Sequence, residues 1–190
     1  ESALYFNGNG RSMELEELNY YYNKFKYGQD NFHNLMQRRV RKILLISTFY
    51  DAYTFEHDGR LSEQIVGDYM QLNLTSVPQI TSVPTADEAL RLLARESFDL
   101  VIATMRMSGP TPPELTAEIH KDHPDLPVNL LLTSRTDVTY IEHNPDWLGE
   151  INNVFLWTGE SKLFIAMVKS VEDQWNTPFD TENGLVRTIL

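Results

Sequence analysis

The chain has 190 residues, 42% of them hydrophobic, a formal net charge of -11 and no cysteine. This length supports one sizeable core with extensions, the charge argues against nucleic acid and anionic membrane surfaces as partners, and the lack of cysteine excludes disulfides and thiolate chemistry. No apolar run approaches the roughly 20 residues that span a bilayer, and the expectation is a soluble cytoplasmic protein.

Residues 1–12, with Asn7-Gly8-Asn9-Gly10, read as a flexible leader, and Leu4-Tyr5-Phe6 resembles the core of a protease tag site. From Met13 to Tyr27 the spacing of Leu15, Leu18, Tyr22 and Phe25 predicts an amphipathic helix, docked on its own domain or paired with a second chain. Arg38, Arg39, Arg41 and Lys42 form a basic cluster, read as the solvated approach to a first strand, Ile43–Ile46. Ser47 and Thr48 end that strand. The acidic residues that follow, Asp51, Glu56 and Asp58, are expected in a solvated loop. A helix over Leu61–Leu72 turns Leu61, Ile65, Tyr69 and Leu72 inward, and Gln79–Val83 supplies a second strand.

Thr85-Ala86-Asp87-Glu88 carries the capping-box spacing of a helix start, and Ala86, Ala89, Leu90 and Leu93 make one apolar stripe behind it. The run Phe98–Thr104, bounded by Ser108-Gly109-Pro110, fits the central strand of a parallel sheet covered on both faces. Asp99, at its start, belongs at the opposite end of the sheet from Thr104. Pro112-Pro113 opens a further helix with Leu115 and Ile119 inward, and His123-Pro124 closes it. Leu126–Leu132 is a fourth strand ending in Thr133-Ser134.

Arg135–Glu150 gives only a weak helical signal. Val154–Leu156 is a fifth strand, followed by Trp157. A last helix, Ser161–Asn176, is apolar at Leu163, Phe164, Ile165, Met167, Val168, Val171 and Trp175, more than one core-facing stripe. The surplus, with Leu163 or Met167 outward, predicts a partner surface and a homodimer contact. His33, His57, His120, His123 and His143 lack metal-ligand spacing, so surface roles are expected and no metal or cofactor is implied. Val186–Leu190 repeats Val40–Leu44 with one substitution, which predicts the start of a following domain. The expected division is residues 1–39 as leader and helix, 40–176 as the main domain and 177–190 as linker.

Strands alternating with helices imply an α/β fold: a doubly wound, five-stranded parallel sheet in the flavodoxin-like order 2-1-3-4-5, with an N-terminal helical extension. Its functional crevice lies at the carboxyl ends of strands 1, 3 and 4. In this chain it is lined by Ser47, Thr48, Thr104, Thr133, Ser134 and Trp157 and flanked by Arg106 and Arg135 as candidate anion contacts.

Thr85–Met107 resembles the middle of a response-regulator receiver domain, whose third strand reads Asp-Leu-Val-Ile-x-Asp and ends on a phosphoaccepting aspartate. The resemblance, which extends over about Arg41–Asn176, implies that Thr104 stands at that aspartate. Ser47 and Thr48 stand at the paired magnesium-binding acids and Trp157 at the lysine that contacts the phosphoryl group, while Thr133-Ser134 keeps the usual hydroxyl. All three parts of the phosphotransfer chemistry are replaced, which makes this a pseudo-receiver. Phe32-His33-Asn34-Leu35-Met36-Gln37, the Asp51–Gly59 insertion and Phe155-Leu156-Trp157 are further similar to the amino-terminal region of bacterial phosphoenolpyruvate synthase-like proteins. There, receiver-like modules precede a nucleotide- and pyruvate-binding kinase part, to which any kinase activity would belong.

The resulting expectation is a regulatory or interaction module, not itself an enzyme, whose partners are other domains of the same polypeptide. The alternative is a sensor that holds an anion or small metabolite in the hydroxyl-lined crevice.

Overall fold

In the computed structural model, residues 5–6, 12–13, 37–48, 50–51, 61–71 and 77–182 are described. They belong to two compact units, one of residues 39–174 and the other of residues 1–38 with 175–190.

In the larger unit five strands, β3 (Lys42–Ile46), β4 (Gln79–Val83), β5 (Leu100–Thr104), β6 (Val128–Leu132) and β7 (Asn153–Leu156), form one sheet in the order β4-β3-β5-β6-β7. Every pairing is parallel, with Ile43 opposite Leu100 and Thr104 opposite Leu131. This is the predicted 2-1-3-4-5 order. Helices α1 (Leu61–Gln71), α2 (Ala86–Leu93), α3 (Pro112–Asp122) and α4 (Arg135–His143) form the crossovers, and α5 (Lys162–Glu182) follows the last strand. Right-handed crossovers put α1, which leads toward the β4 edge, on one face and α2, α3 and α4, which lead the other way, on the opposite face.

All five residues of β5 and of β6 are buried, as central strands covered on both sides require. Leu44, Ile46, Val101, Ala103 and Val128 pack with Ala86, Ala89, Leu93, Leu115 and Ile119 of α2 and α3. The alternate residues Ile43, Leu45, Leu100 and Ile102 point to the other face and are equally buried, as are Ile65 and Tyr69 of α1. Local chemistry starts the helices: the Thr85 hydroxyl accepts the Glu88 N–H, and across Pro112 and Pro113 the Glu114 carboxylate accepts the Thr111 N–H at 2.8 Å and the Thr111 hydroxyl at 2.9 Å. Gly109, with φ at 116°, makes the turn after β5 in a conformation that L residues rarely adopt.

Three expectations change. The weak helical signal after Ser134 is a nine-residue α-helix, α4, followed by a 3-10 turn at Pro145–Leu148. Periodicity missed it because of its residues only Asp137 is buried, which leaves no apolar stripe to read. The last helix continues six residues beyond Asn176, through Pro178, which removes one ladder bond without ending it. Its apolar surplus is also less than it looked. Phe164, Ile165, Met167, Val168 and Val171 are all buried, and Met167 is 0% exposed, so of the proposed outward pair only Leu163 keeps accessible surface.

In the same unit the approach to β3 is pinned from α5. Buried Glu172 accepts the Val40 N–H at 3.0 Å, pairs with Lys169 at 2.7 Å and with Arg39 at 3.5 Å. Asp99, at the amino end of β5 as expected, accepts the N–H groups of Arg41 and Lys42 at 2.8 and 2.9 Å. Of the basic cluster, the Arg39 side chain thus meets Glu172 and the Lys42 side chain meets Glu96 at 3.1 Å.

In the smaller unit β1 (Tyr5–Phe6) pairs antiparallel with β2 (Ser12–Met13), where a leader without structure was expected and a helix was expected to begin at Met13. The Asn176 amide accepts the Arg38 N–H and donates to the Arg38 carbonyl, each at 2.9 Å, and the Arg38 guanidinium lies 4.7 Å from the centre of the Trp175 ring. The rest of the predicted N-terminal helix, the segment 32–36, Glu56, Asp58 and the Val186–Leu190 repeat lie outside the described residues.

Candidate functional site

The carboxyl ends of β3, β5 and β6 bring together hydroxyl side chains. Thr104 closes β5 fully buried, and its hydroxyl donates to the Ile46 carbonyl of β3 at 3.3 Å. The side chain at the tip of the central strand is thus a neutral group satisfied inside the sheet. Ser47, 1% exposed, extends the sheet by donating its N–H to the Val83 carbonyl at 3.1 Å, while its hydroxyl oxygen has no hydrogen-bond partner among the described residues.

Two carboxylates adjoin this edge, and sequence reasoning undervalued both. Asp51 is only 4% exposed, not solvated: its carboxylate accepts the Thr48 hydroxyl at 3.0 Å, and its own N–H donates back to that oxygen at 3.1 Å. This i,i+3 reciprocity is the local bonding that threonine offers at the start of a turn.

Asp137 is the second. One of its carboxylate oxygens accepts the N–H groups of Thr133 and Ser134, at 3.0 and 2.9 Å, and the Thr133 hydroxyl at 3.3 Å. The Ser134 hydroxyl in turn accepts the Asp137 N–H at 3.2 Å, completing a capping box for α4. Its other oxygen lies 3.8 Å from Arg106, whose guanidinium also reaches the Ser134 hydroxyl at 3.5 Å. Arg106 is therefore engaged by an internal carboxylate, and Arg135 is exposed at the first position of α4. The signal that could have found Asp137 was present: Ser134-x-x-Asp137 has capping-box spacing.

Trp157 directly follows β7. Its N–H extends the β6–β7 ladder to the Leu132 carbonyl at 2.8 Å. Its ring meets the Phe164 ring of α5 edge-on, with centroids 5.9 Å apart. Ser47, Thr48, Thr104, Thr133 and Ser134 thus stand at the carboxyl edge of the sheet, and Trp157 comes just after β7 with its ring against Phe164. Among the described residues no three His, Cys, Asp or Glu side chains are grouped to hold a metal ion.

No protein-family model matches the chain, and no curated protein matches it in sequence. Solved structures do match. An adenylate cyclase from Rhodopirellula baltica aligns at a TM-score of 0.53 and 17% identity, over 78% of this chain and 99% of that one. A response regulator receiver domain protein from Clostridium thermocellum aligns at 0.51 and 17%, over 73% and 98%. A chemotaxis response regulator of Vibrio cholerae aligns at 0.50 and 13%, over 70% and 98%. The sheet order and these likenesses define a flavodoxin-like fold of the receiver type. The chain carries a receiver-like domain.

Proposed function

We propose that residues 40–176 are a pseudo-receiver: a regulatory and protein-interaction module that does not accept a phosphoryl group and works within a larger, phosphoenolpyruvate synthase-like phosphoryl-transfer protein. The observation that carries this reading is Thr104. A threonine hydroxyl is a far weaker nucleophile toward a phosphoryl donor than a carboxylate, and this one is turned inward onto the Ile46 carbonyl. The nearby acids support the reading because each is already committed, Asp51 to Thr48 and Asp137 to the Thr133–Ser134 backbone. Magnesium needs several hard oxygen ligands in octahedral geometry, and Ser47 and Thr48 offer hydroxyls where carboxylates would bind best. The module then acts through its surface on neighbouring domains of the same polypeptide.

Intact-mass analysis after incubation with acetyl phosphate and magnesium tests this. The expected result is an unchanged mass, and a single adduct mapped to Thr104, Asp51 or Asp137 would overturn the proposal.

One observation favours the second reading, an anion or metabolite sensor. The Ser47 hydroxyl is buried without a partner among the described residues, and a bound molecule would satisfy it. That reading predicts saturable thermal stabilisation by phosphate or by a small carboxylate, worth about 2.7 kcal/mol at a hundredfold excess over Kd and lost in Ser47→Ala.

A further inference from the structure

His120 lies on the last turn of α3, where its side chain is 16% exposed. Its Nδ1 is 2.8 Å from a carboxylate oxygen of Glu150, and its Nε2 is 3.0 Å from the main-chain carbonyl oxygen of Leu126. A carbonyl accepts and never donates, and an ionised carboxylate does the same. Both bonds therefore exist together only when both ring nitrogens carry protons. A neutral imidazole has one N–H, so it must leave one acceptor facing a lone pair.

We propose that His120 is a proton-operated clasp between α3 and the Pro145–Glu150 segment that leads into β7. In the charged state the ring ties α3 to Leu126 and to Glu150 at once. On losing a proton it lets go of Glu150 and keeps Leu126. The choice follows from solvation: the Glu150 side chain is 65% exposed and water replaces the lost donor, whereas Leu126 is buried and its carbonyl would be left unsatisfied. The neutral ring is thus the Nε2–H tautomer. Other charged groups on the surrounding elements are Asp125 on the turn before β6, Asp146 on the 3-10 turn, and Glu118, Lys121, Asp122 and His123 on or capping α3, of which Glu118 and Lys121 pair with each other. None of these is within hydrogen-bond distance of the ring, so Glu150 is the carboxylate that the proton controls. The clasp is independent of whether the domain is a pseudo-receiver or a sensor.

The test is a nitrogen-15 NMR titration of the full chain between pH 5 and 8, the interval over which imidazole ordinarily changes charge. Both His120 nitrogens are expected to be protonated at the acid end and only Nε2 at the alkaline end. The backbone amides of Trp147 to Ile151 should shift with the same midpoint. His120→Asn should abolish that shift, and Glu150→Gln should uncouple the segment while the ring still titrates. Glu150 is exposed, so this second variant serves if the first does not fold. A neutral ring protonated at Nδ1, a segment blind to the His120 transition, or a shift that survives both substitutions would each overturn the clasp.

Discussion

Asp137 is where a single substitution tests the site most directly. In Asp137→Ala the N–H groups of Thr133 and Ser134 and the Thr133 hydroxyl lose the oxygen they share. Hydrogen bonds to a charged acceptor contribute about 1.5–3 kcal/mol each, and an unsatisfied buried donor costs about 1–3 kcal/mol. Thr133 and Ser134 are only half-buried, so water recovers part of the loss. Loss of the N3 carboxylate from the α4 capping box adds about 0.3–1 kcal/mol. The expected destabilisation is about 2–3 kcal/mol, or a fall in Tm of about 5–10 °C for a chain of this size. Asp137→Asn keeps an acceptor oxygen but loses the charge that strengthens these bonds, the helix-start carboxylate and the pair with exposed Arg106, so it should cost about 1–2 kcal/mol, less than Asp137→Ala. Urea unfolding followed by circular dichroism measures both, with an unchanged m-value as the sign that only stability has moved. An Asp137→Ala protein within about 0.5 kcal/mol of the parent would refute the assignment of this carboxylate as the anchor of the β6–α4 junction.

Tyr69 yields a prediction of the opposite sign. Its hydroxyl is buried without a partner among the described residues, and burial first, then Glu172, push its pKa up to about 12. Tyr69→Phe should therefore be neutral or stabilising by about 1 kcal/mol, and a loss of stability in urea titration would count against the geometry. Because the unfolded side chain ionises near 10 and the folded one near 12, Tyr69 makes stability fall as pH rises through that interval, a slope that the phenylalanine variant should lack. Leu163→Glu, at the half-exposed position of α5, should lower any self-association seen by sedimentation, whereas Met167→Glu should unfold the domain. A Met167→Glu protein as stable as its parent would place that residue outside the core.

The scaffold was legible because its signals are local and redundant. A five-residue apolar run between turn signals has few homes except the middle of a parallel sheet, and β5 occupies one. The Thr85 cap and the Thr111-Pro112-Pro113 start were visible as chemistry specific to helix beginnings. What escaped was whatever depends on the third dimension. Asp51 looked like a loop acid because nothing in its neighbours reports burial. The edge-on contact of Trp157 with Phe164 joins rings on β7's carboxyl side and α5, a pairing that periodicity does not report. His120 read as one of five surface histidines, since its two acceptors come from residues 6 and 30 positions away.

The double hydrogen bond between Asn176 and the backbone of Arg38 bears on how the chain carries mechanical load. It holds two points 138 residues apart in sequence within bonding distance, in the manner of one strand paired to another. Tension applied through the chain on either side of these points would be borne first by this amide pair and by the Trp175 ring over which Arg38 lies. A polypeptide stretched at this place would thus yield first by parting Arg38 from Asn176.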